Sequence, residues 1–525
     1  MANTLKAAHQ KELFGHPVGL YILFLTEMWE RFSYYGMRGI LVLYLSAETR
    51  GDNPGLGWLD AEALSLYGWY TMLVYVASIP GGIIADKILG QKRAVMVGGF
   101  LLVAGHGILS VEEMWAFYSG LTLIIAGVGM LKPNISTLVG GLYRKGDERR
   151  DKGFSIFYIG INVGAALASL AVAFIAKEYG WHAGFGLAAI GMVLGQVVYL
   201  FGQRHLVHVG NKPRKEAYQN NEDVSINQIF RNLFTSRTPL MVTILLGLIS
   251  LLVTFTIIDE QQMAYSLFFL FLSLVVGMMV TIYGDLKSRI EKDRYIVLLL
   301  SFIIVIVFWG AFEQAGGLMN LYAQDRTDRF IFGYEIPAAA FQFFNPFYII
   351  VFAVPVANFW MWWKHRGKEA SSLFKMANGV IIMGLGFVFM VFASMQYESL
   401  GKSAIYWLAL AYLFHTIGEL CASPVALSFI TKLAPVRYGA LMMGVYFAAT
   451  GLGNKVAGLV GESASKAGEL KVFSSITIFC VIFGILVILI IKPLKRLTHG
   501  AEDLKKAEEN REAERFELAD EDINE

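Results

Sequence analysis

Charge is what this chain has least of: Asp, Glu, Lys and Arg make up 16% of its 525 residues, where soluble globular domains carry about 25%. A surface that poor in charge cannot be wetted all round, which excludes a soluble globular protein. Cysteine is nearly missing as well, and the two present, Cys421 and Cys480, lie inside apolar runs. That excludes a disulfide framework and points to buried free thiols. The net charge is only +2 and the basic residues are scattered over loops, with no basic groove or nucleic-acid motif, so nucleic acid is not a partner. No phosphate loop, metal-spaced cluster of His, Cys, Asp and Glu, or nucleophile elbow lies on a loop long enough to fold, so no enzyme and no cofactor is expected. Residues 1–16 carry Lys6 and Lys11 and lack the short apolar core of a cleaved leader; the first apolar run is expected to stay as a signal anchor.

What the chain has in abundance is apolar sequence, 56% of residues. Runs long enough to cross a bilayer, about 18 residues or more, lie near 18–45, 60–85, 93–110, 115–140, 154–176 and 183–203, and again near 239–258, 263–284, 295–320, 341–363, 371–395, 403–431, 437–461 and 472–492. Fourteen transmembrane helices are expected, an all-α integral membrane protein. Between the sets, residues 204–238 carry His205, His208, Lys212, Arg214, Lys215, Asn220 and Asn221, too polar to cross. Positive charge is retained on the cytoplasmic side. With the N-terminus inside, 29 Lys and Arg fall in inside loops and flanks and 8 outside, Lys455 among the 8. Both termini are therefore expected to be cytoplasmic. The Asp259-Glu260 turn has no Lys or Arg while 287–294 has four, so 239–294 reads as an inserted hairpin outside the helix bundles. The expected division is a six-helix bundle over 1–203, a linker over 204–238, the hairpin, a second six-helix bundle over 295–496 and a cytoplasmic tail over 497–525. Two bundles around a midplane site are the layout of a transporter.

Seven charges lie deep inside these runs: Glu27, Glu30, Arg31, Arg38, Lys132, Glu313 and Glu419. Each costs roughly 2.5–3.5 kcal/mol on insertion scales unless it faces a wet cavity or a partner. On the first helix, positions 27, 30, 31, 34 and 38 share one stripe, so four of the charges and Tyr34 face a polar interior together. Packing alone does not call for such groups, and they are divided between the two halves of the chain. A buried carboxylate that meets a cation only part of the time can carry a proton, because burial favours its neutral form and the cation its charged form. Glu313, in Trp309-Gly310-Ala311-Phe312-Glu313-Gln314, is the first choice for that carrier and Arg38 for its partner. His106 and His415 read as packing histidines. Pro80, Pro133, Pro346, Pro355 and Pro424 lie within spans, and only Pro133, beside Lys132, is expected to kink its helix so as to aim a charge.

Two stretches tie these residues to a family. Gly81 to Arg93 resembles the loop signature of the major facilitator superfamily. Glu27-x-x-Glu30-Arg31-Phe32-x-Tyr34-Tyr35-Gly36 and Phe157-Tyr158-Ile159-Gly160-Ile161-Asn162-Val163-Gly164 resemble the two signatures of the proton-coupled oligopeptide transporter (POT) family, with Gly129 to Asn134 and Phe341-Gln342-x-x-Asn345-Pro346 similar to further stretches of it. The resemblance runs from about residue 17 to 492, and the inserted hairpin is typical of bacterial members. It implies the major facilitator fold and symport of dipeptides and tripeptides with protons by alternating access, in the bacterial cytoplasmic membrane, without a cofactor, by a monomeric or weakly oligomeric protein. Carried over, Glu27, Glu30, Arg31, Lys132 and Glu313 would couple protons. Arg38 and Lys132 would attract the peptide carboxylate and Glu419 its amino group. Tyr34, Tyr75, Asn162 and Asn345 would orient the backbone, and Trp309, Ser423 and Tyr446 would line side-chain pockets. Two departures stand out: Gly68 occupies the place of the histidine that animal members protonate, and Tyr446 stands where bacterial members often have Trp. A carrier for nitrate, an amino acid or a sugar is the rival reading, and Glu419 argues against nitrate, which has no amine to bind.

Overall fold

The computed structural model describes residues 11–144, 147, 149–211, 226–257 and 262–502, and most of them are helical. An apolar medium demands this, since a helix satisfies its own backbone polar groups and an unpaired one costs several kcal/mol in hydrocarbon. The first six long helices are α1 (Val18–Ser46), α2 (Asp60–Leu89), α3 (Gln91–Leu109), α4 (Met114–Gly141), α5 (Arg149–Tyr179) and α6 (Trp181–Gly202). A ten-residue helix follows, α7 (Ile226–Thr235), and then α8 (Arg237–Ile257) and α9 (Gln262–Asp285). The remainder are α10 (Arg289–Phe312), the short α11 (Leu318–Asp325), α12 (Phe344–His365), α13 (Ser372–Leu400), α14 (Ile405–Leu433), α15 (Gly439–Ala467), α16 (Glu469–Leu489) and α17 (Ile491–Leu497).

Among the described residues, twelve helices are long and apolar enough to cross a membrane, α10 and α11 counting as one. The expected count of fourteen depends on two more, α1 and α15, each 29 residues long. α1 is made less apolar by its four charges, and α15 by its glycines, Asn454 and Lys455. None of these polar side chains meets lipid: Glu27, Glu30, Arg31, Arg38, Asn454 and Lys455 are all buried inside the protein.

The described helices form two compact units. One contains α1 to α6 with residues 302–427 and 444–489; the other contains residues 226–257, 262–301, 428–443 and 490–502. In the second, α8 and α9 lie side by side with α7 against them, and α7 buries Ile229 and Leu233, one turn apart. The sequence reading took all of 204–238 for polar linker and missed this amphipathic helix. Tyr438 Oη donates to Asp285 Oδ2 at 2.5 Å, and His499 Nε2 lies 2.8 Å from Asp293 Oδ2. The Asp259-Glu260 turn, Lys212, Arg214, Lys215, Asn220, Asn221 and the tail beyond residue 502 lie outside the described residues.

Backbone geometry positions the helices of the first unit. α4 continues as helix through Pro133. Proline has no N–H to give to the carbonyl four residues earlier, which is that of Gly129. This carbonyl stands where a side chain on Gly81 would have to be, so glycine at 81 lets α2 close on α4. Gly81→Val is expected to destabilise the protein by about 1–3 kcal/mol or more through overpacking, read as a fall of several degrees in the melting temperature of the purified protein. An unchanged melting temperature would mean that the two helices separate without cost. Beyond Gly81, α2 ends in a π-turn over Ala85–Leu89, and Gly90 turns the chain at φ +78°. There Asp86 hydrogen-bonds Gln91.

Candidate functional site

The stripe on α1 forms as its spacing predicts. Arg31 Nε is 2.9 Å from Glu27 Oε1 and 2.5 Å from Glu30 Oε2, with all three side chains buried. These contacts are close but not aligned as hydrogen bonds, and both Glu30 oxygens and Arg31 Nε remain without a hydrogen-bond partner. The attraction is ionic, and the cluster keeps its hydrogen-bonding capacity. The Arg31 guanidinium also lies 5.6 Å from the centre of the Tyr34 ring, within cation–π range.

Seven residues further along α1, about 10 Å at 1.5 Å per residue, Arg38 reaches the second half of the chain. Its Nη1 donates to both Glu313 oxygens at 2.9 Å, and Tyr67 Oη of α2 donates to Glu313 Oε2 at 3.0 Å. Glu313 is 2% exposed. The helix that carries it is interrupted there: α10 ends at Phe312, Glu313–Ala315 form one 3-10 turn, and α11 begins after Gly316 and Gly317. Interrupting a membrane helix frees backbone groups, and side chains take them up, with Tyr412 Oη donating to the Ala315 carbonyl at 3.3 Å and Gln314 Nε2 to the Gly310 carbonyl at 3.3 Å. A helix C-terminus is electronegative and favours a cation nearby, so Arg38 meets both the carboxylate and the end of α10. The run 295–320 was read as one uninterrupted span. The Gly316-Gly317 pair was the available sign of the break, and Tyr67, in step with Thr71 and Tyr75 on one face of α2, was the available sign of the missed partner.

On the far side, Asn345 Nδ2, in the first turn of α12, donates to Glu419 Oε2 of α14 at 2.8 Å and to Thr416 Oγ1 at 3.1 Å. Tyr446 of α15 is hydrogen-bonded with Ser423. Trp309 packs its ring on Phe308 and Phe312 and its Cβ beside Gly453. Lys132 makes no ion pair within 4 Å; its ammonium sits 3.6 Å from the centre of the Tyr75 ring. It therefore faces an aromatic ring beside the α1 cluster. Asn162 Nδ2 donates to the Tyr158 carbonyl within its own helix, and its carbonyl oxygen is the part left for other contacts. His106 and His415 are fully buried with neither ring nitrogen hydrogen-bonded, and the His415 ring packs against that of Phe387, centres 4.4 Å apart and planes tilted by 41°. Among the described residues, no group of His, Cys, Asp and Glu is placed to hold a metal ion.

Beyond Glu313 the two halves touch. A Cβ on Gly458 of α15 would lie 2.9 Å from Gly68 Cα and 2.9 Å from the Leu64 carbonyl of α2. That contact leaves no room at position 68 for the histidine of animal relatives. Asn454 Nδ2 reaches the Thr71 carbonyl, and Asn320 of α11 donates to the Gly39 carbonyl of α1 at 2.7 Å. Lys455, assigned from the sequence to the outer end of its span, is 1% exposed, 3.6 Å from Glu462 and 4.4 Å from the centre of the Trp69 ring.

A polytopic helical protein with buried acids and bases brought together from both halves of the chain has the layout of a membrane transporter. The comparisons say which. The profile described as PTR2, POT family, matches residues 92–476. The chain is 37% identical over 512 residues to a Bacillus subtilis protein described as uncharacterized transporter YclF, covering 95% of this chain and 98% of that one. It is 35% identical over 519 residues to the peptide transporter YePEPT of Yersinia enterocolitica, covering 95% and 98%. Among solved structures, a peptide transporter POT in complex with sulfate matches with a TM-score of 0.78 at 33% identity, over 95% of this chain and 99% of that one. A POT family transporter in complex with 5-aminolevulinic acid matches with a TM-score of 0.78 at 32%, over 94% and 99%. This chain belongs to the POT family.

Proposed function

We propose that the protein is a proton-coupled symporter that imports dipeptides and tripeptides across the bacterial cytoplasmic membrane by alternating access, with both termini cytoplasmic and no resident cofactor. The observation that carries this reading is the Arg38–Glu313 pair, in which the carboxylate of one half holds a cation of the other half that a peptide carboxylate also needs. Protonating Glu313 removes the negative charge and releases Arg38, so that proton binding and peptide-carboxylate binding favour each other while both oppose the ion pair. Each ligand then shifts the balance toward the state it binds better. Arg38 and Lys132 take the carboxyl end of the peptide, Glu419 with Asn345 the amino end, and Tyr34, Tyr75 and Asn162 the amide groups between. Trp309, Ser423 and Tyr446 line the side-chain pockets. Glu27, Glu30 and Arg31 relay protonation to the same cavity. Zwitterions bound in relatives agree with two charged ends, as with the 5-aminolevulinic acid complex.

The amine contact has a specific test. A hydrogen bond to a charged group contributes about 1.5–3 kcal/mol, so Glu419→Gln is expected to weaken competition by dialanine about 10- to 150-fold. N-acetyl-dialanine, which has no ammonium group, should compete equally against both forms. Equal loss for both peptides would remove Glu419 from the amine site. Uptake of labelled dialanine into liposomes containing wild-type protein, with an inward proton gradient and without one, tests the reading as a whole, and competition by nitrate in the same assay tests its rival.

A further inference from the structure

Away from the charged cavity, α12, α13 and α14 enclose a crevice of about 350 Å³ walled by Pro355, Phe359, Trp360, Trp363, Phe374 and Ile417, among others. That volume lies within the roughly 300–1,000 Å³ of small-molecule sites. Its wall is almost wholly apolar. The Asn378 amide is turned back onto the Phe374 carbonyl of its own helix at 2.7 Å, and the Cys421 thiol accepts from Trp360 Nε1 at 3.4 Å. Around it, α12 exposes Val354, Phe359, Met361 and Trp362, the pattern of a face that meets hydrocarbon.

The mouth of the crevice has the opposite character. Residues 364–375, the end of α12 and the start of α13, hold Lys364, Arg366, Lys368 and Lys375 against one acid, Glu369, for a net +3 with His365 neutral. The Glu369 carboxylate accepts the Ser371 N–H at 2.9 Å. Lys368 sits 4.1 Å from the centre of the Trp363 ring and Lys375 5.5 Å from that of Trp360, so two cations rest on rings that wall the crevice. Arg366 lies over the neighbouring Trp362 at 4.2 Å. An apolar slot beside a cationic, aromatic rim at a helix end is complementary to an amphiphile with an anionic head.

We infer that this crevice binds an anionic phospholipid of the cytoplasmic leaflet, with one acyl chain between α12, α13 and α14 and the phosphate against Lys368 and Lys375. The site is separate from the transport cavity and independent of its reading. The test is native mass spectrometry of the full-length protein equilibrated with equal amounts of dioleoylphosphatidylglycerol and dioleoylphosphatidylcholine. The expected result is a preference of about tenfold or more for the glycerol lipid, lost when Arg366, Lys368 and Lys375 are all changed to Gln, since each cation near an anionic surface contributes about fivefold. Ile417→Trp, which fills the slot, should reduce retention of both lipids. Because that variant could disturb packing, its melting curve is compared with the wild type, and the triple Gln variant, confined to the rim, decides the outcome. Equal retention of the two lipids by wild-type protein, or a preference that survives the triple change, overturns the inference. Displacement by glycerol phosphate alone at equal concentration, or binding of oleate equal to that of the glycerol lipid, would reject the phospholipid as occupant.

Discussion

Glu313→Gln is expected to abolish peptide uptake driven by a proton gradient, by about 100-fold or more, while leaving exchange of labelled for unlabelled peptide across the membrane intact. Glutamine keeps the size of the side chain and can still accept from Tyr67 Oη, which stands 3.0 Å away, and from Arg38. It cannot take or lose the charge. The variant is thus fixed in the electrical state of the protonated carboxyl, with Arg38 permanently available to a peptide carboxylate. Binding and exchange need only that state; concentrating peptide against a gradient needs both. Counterflow and gradient-driven uptake measured on the same vesicles separate the two. Gradient-driven uptake that survives in Glu313→Gln would dismiss this residue as the carrier. Glu313→Ala is a different experiment, since removing one partner of a buried pair outright costs about 3–5 kcal/mol and mixes stability with coupling.

Gly458→Val is expected to stop uptake and exchange together with little loss of stability. A Cβ there meets Gly68 Cα and the Leu64 carbonyl at 2.9 Å each, both backbone atoms that cannot turn aside. The clash resembles that at Gly81, but its setting differs. Gly81 packs on α4 inside one bundle, where the chain has no other arrangement and the strain is charged to folding. Gly458 packs across the two halves, where the proposed alternating access would separate α2 and α15 in every cycle. A valine at 458 can be accommodated by holding that contact apart, and the protein then folds but cannot close this side of the cavity. The checks are a melting temperature within a few degrees of wild type, with uptake and counterflow both below detection. Normal transport by Gly458→Val would show that the contact is not a gate.

Much of this protein was legible in one dimension. The apolar runs that the sequence offered are helical over their described residues, with 295–320 interrupted at Glu313, because in hydrocarbon a helix alone satisfies a single segment's backbone. The stripe Glu27, Glu30, Arg31, Tyr34 and Arg38 followed from 3.6 residues per turn, and its burial from the cost of charge in lipid. Family membership followed from two local signatures. What the sequence concealed depends on neighbours far away in the chain. Arg38 was expected as the partner of Glu313 and the pair forms across 275 positions, but the second partner, Tyr67, carries no charge to mark it. Lys132 rests on the aromatic face of Tyr75, a contact that counting opposite charges does not see. Lys455 looked like an outer-end residue, yet it is enclosed with Trp69 and Glu462.

The sequence by itself determined the medium, the helices, the placement of charge on α1 and the family. It did so because solvation and helical period act on each segment separately. Only the tertiary structure decided that Tyr67 and an aromatic ring at Tyr75 partner the buried charges, where α10 breaks to present Glu313, and why position 68 is closely confined. Those outcomes are set by the approach of helices that are distant in the chain. A contact between α1 and α10, or between α2 and α15, leaves no period or composition behind in either sequence.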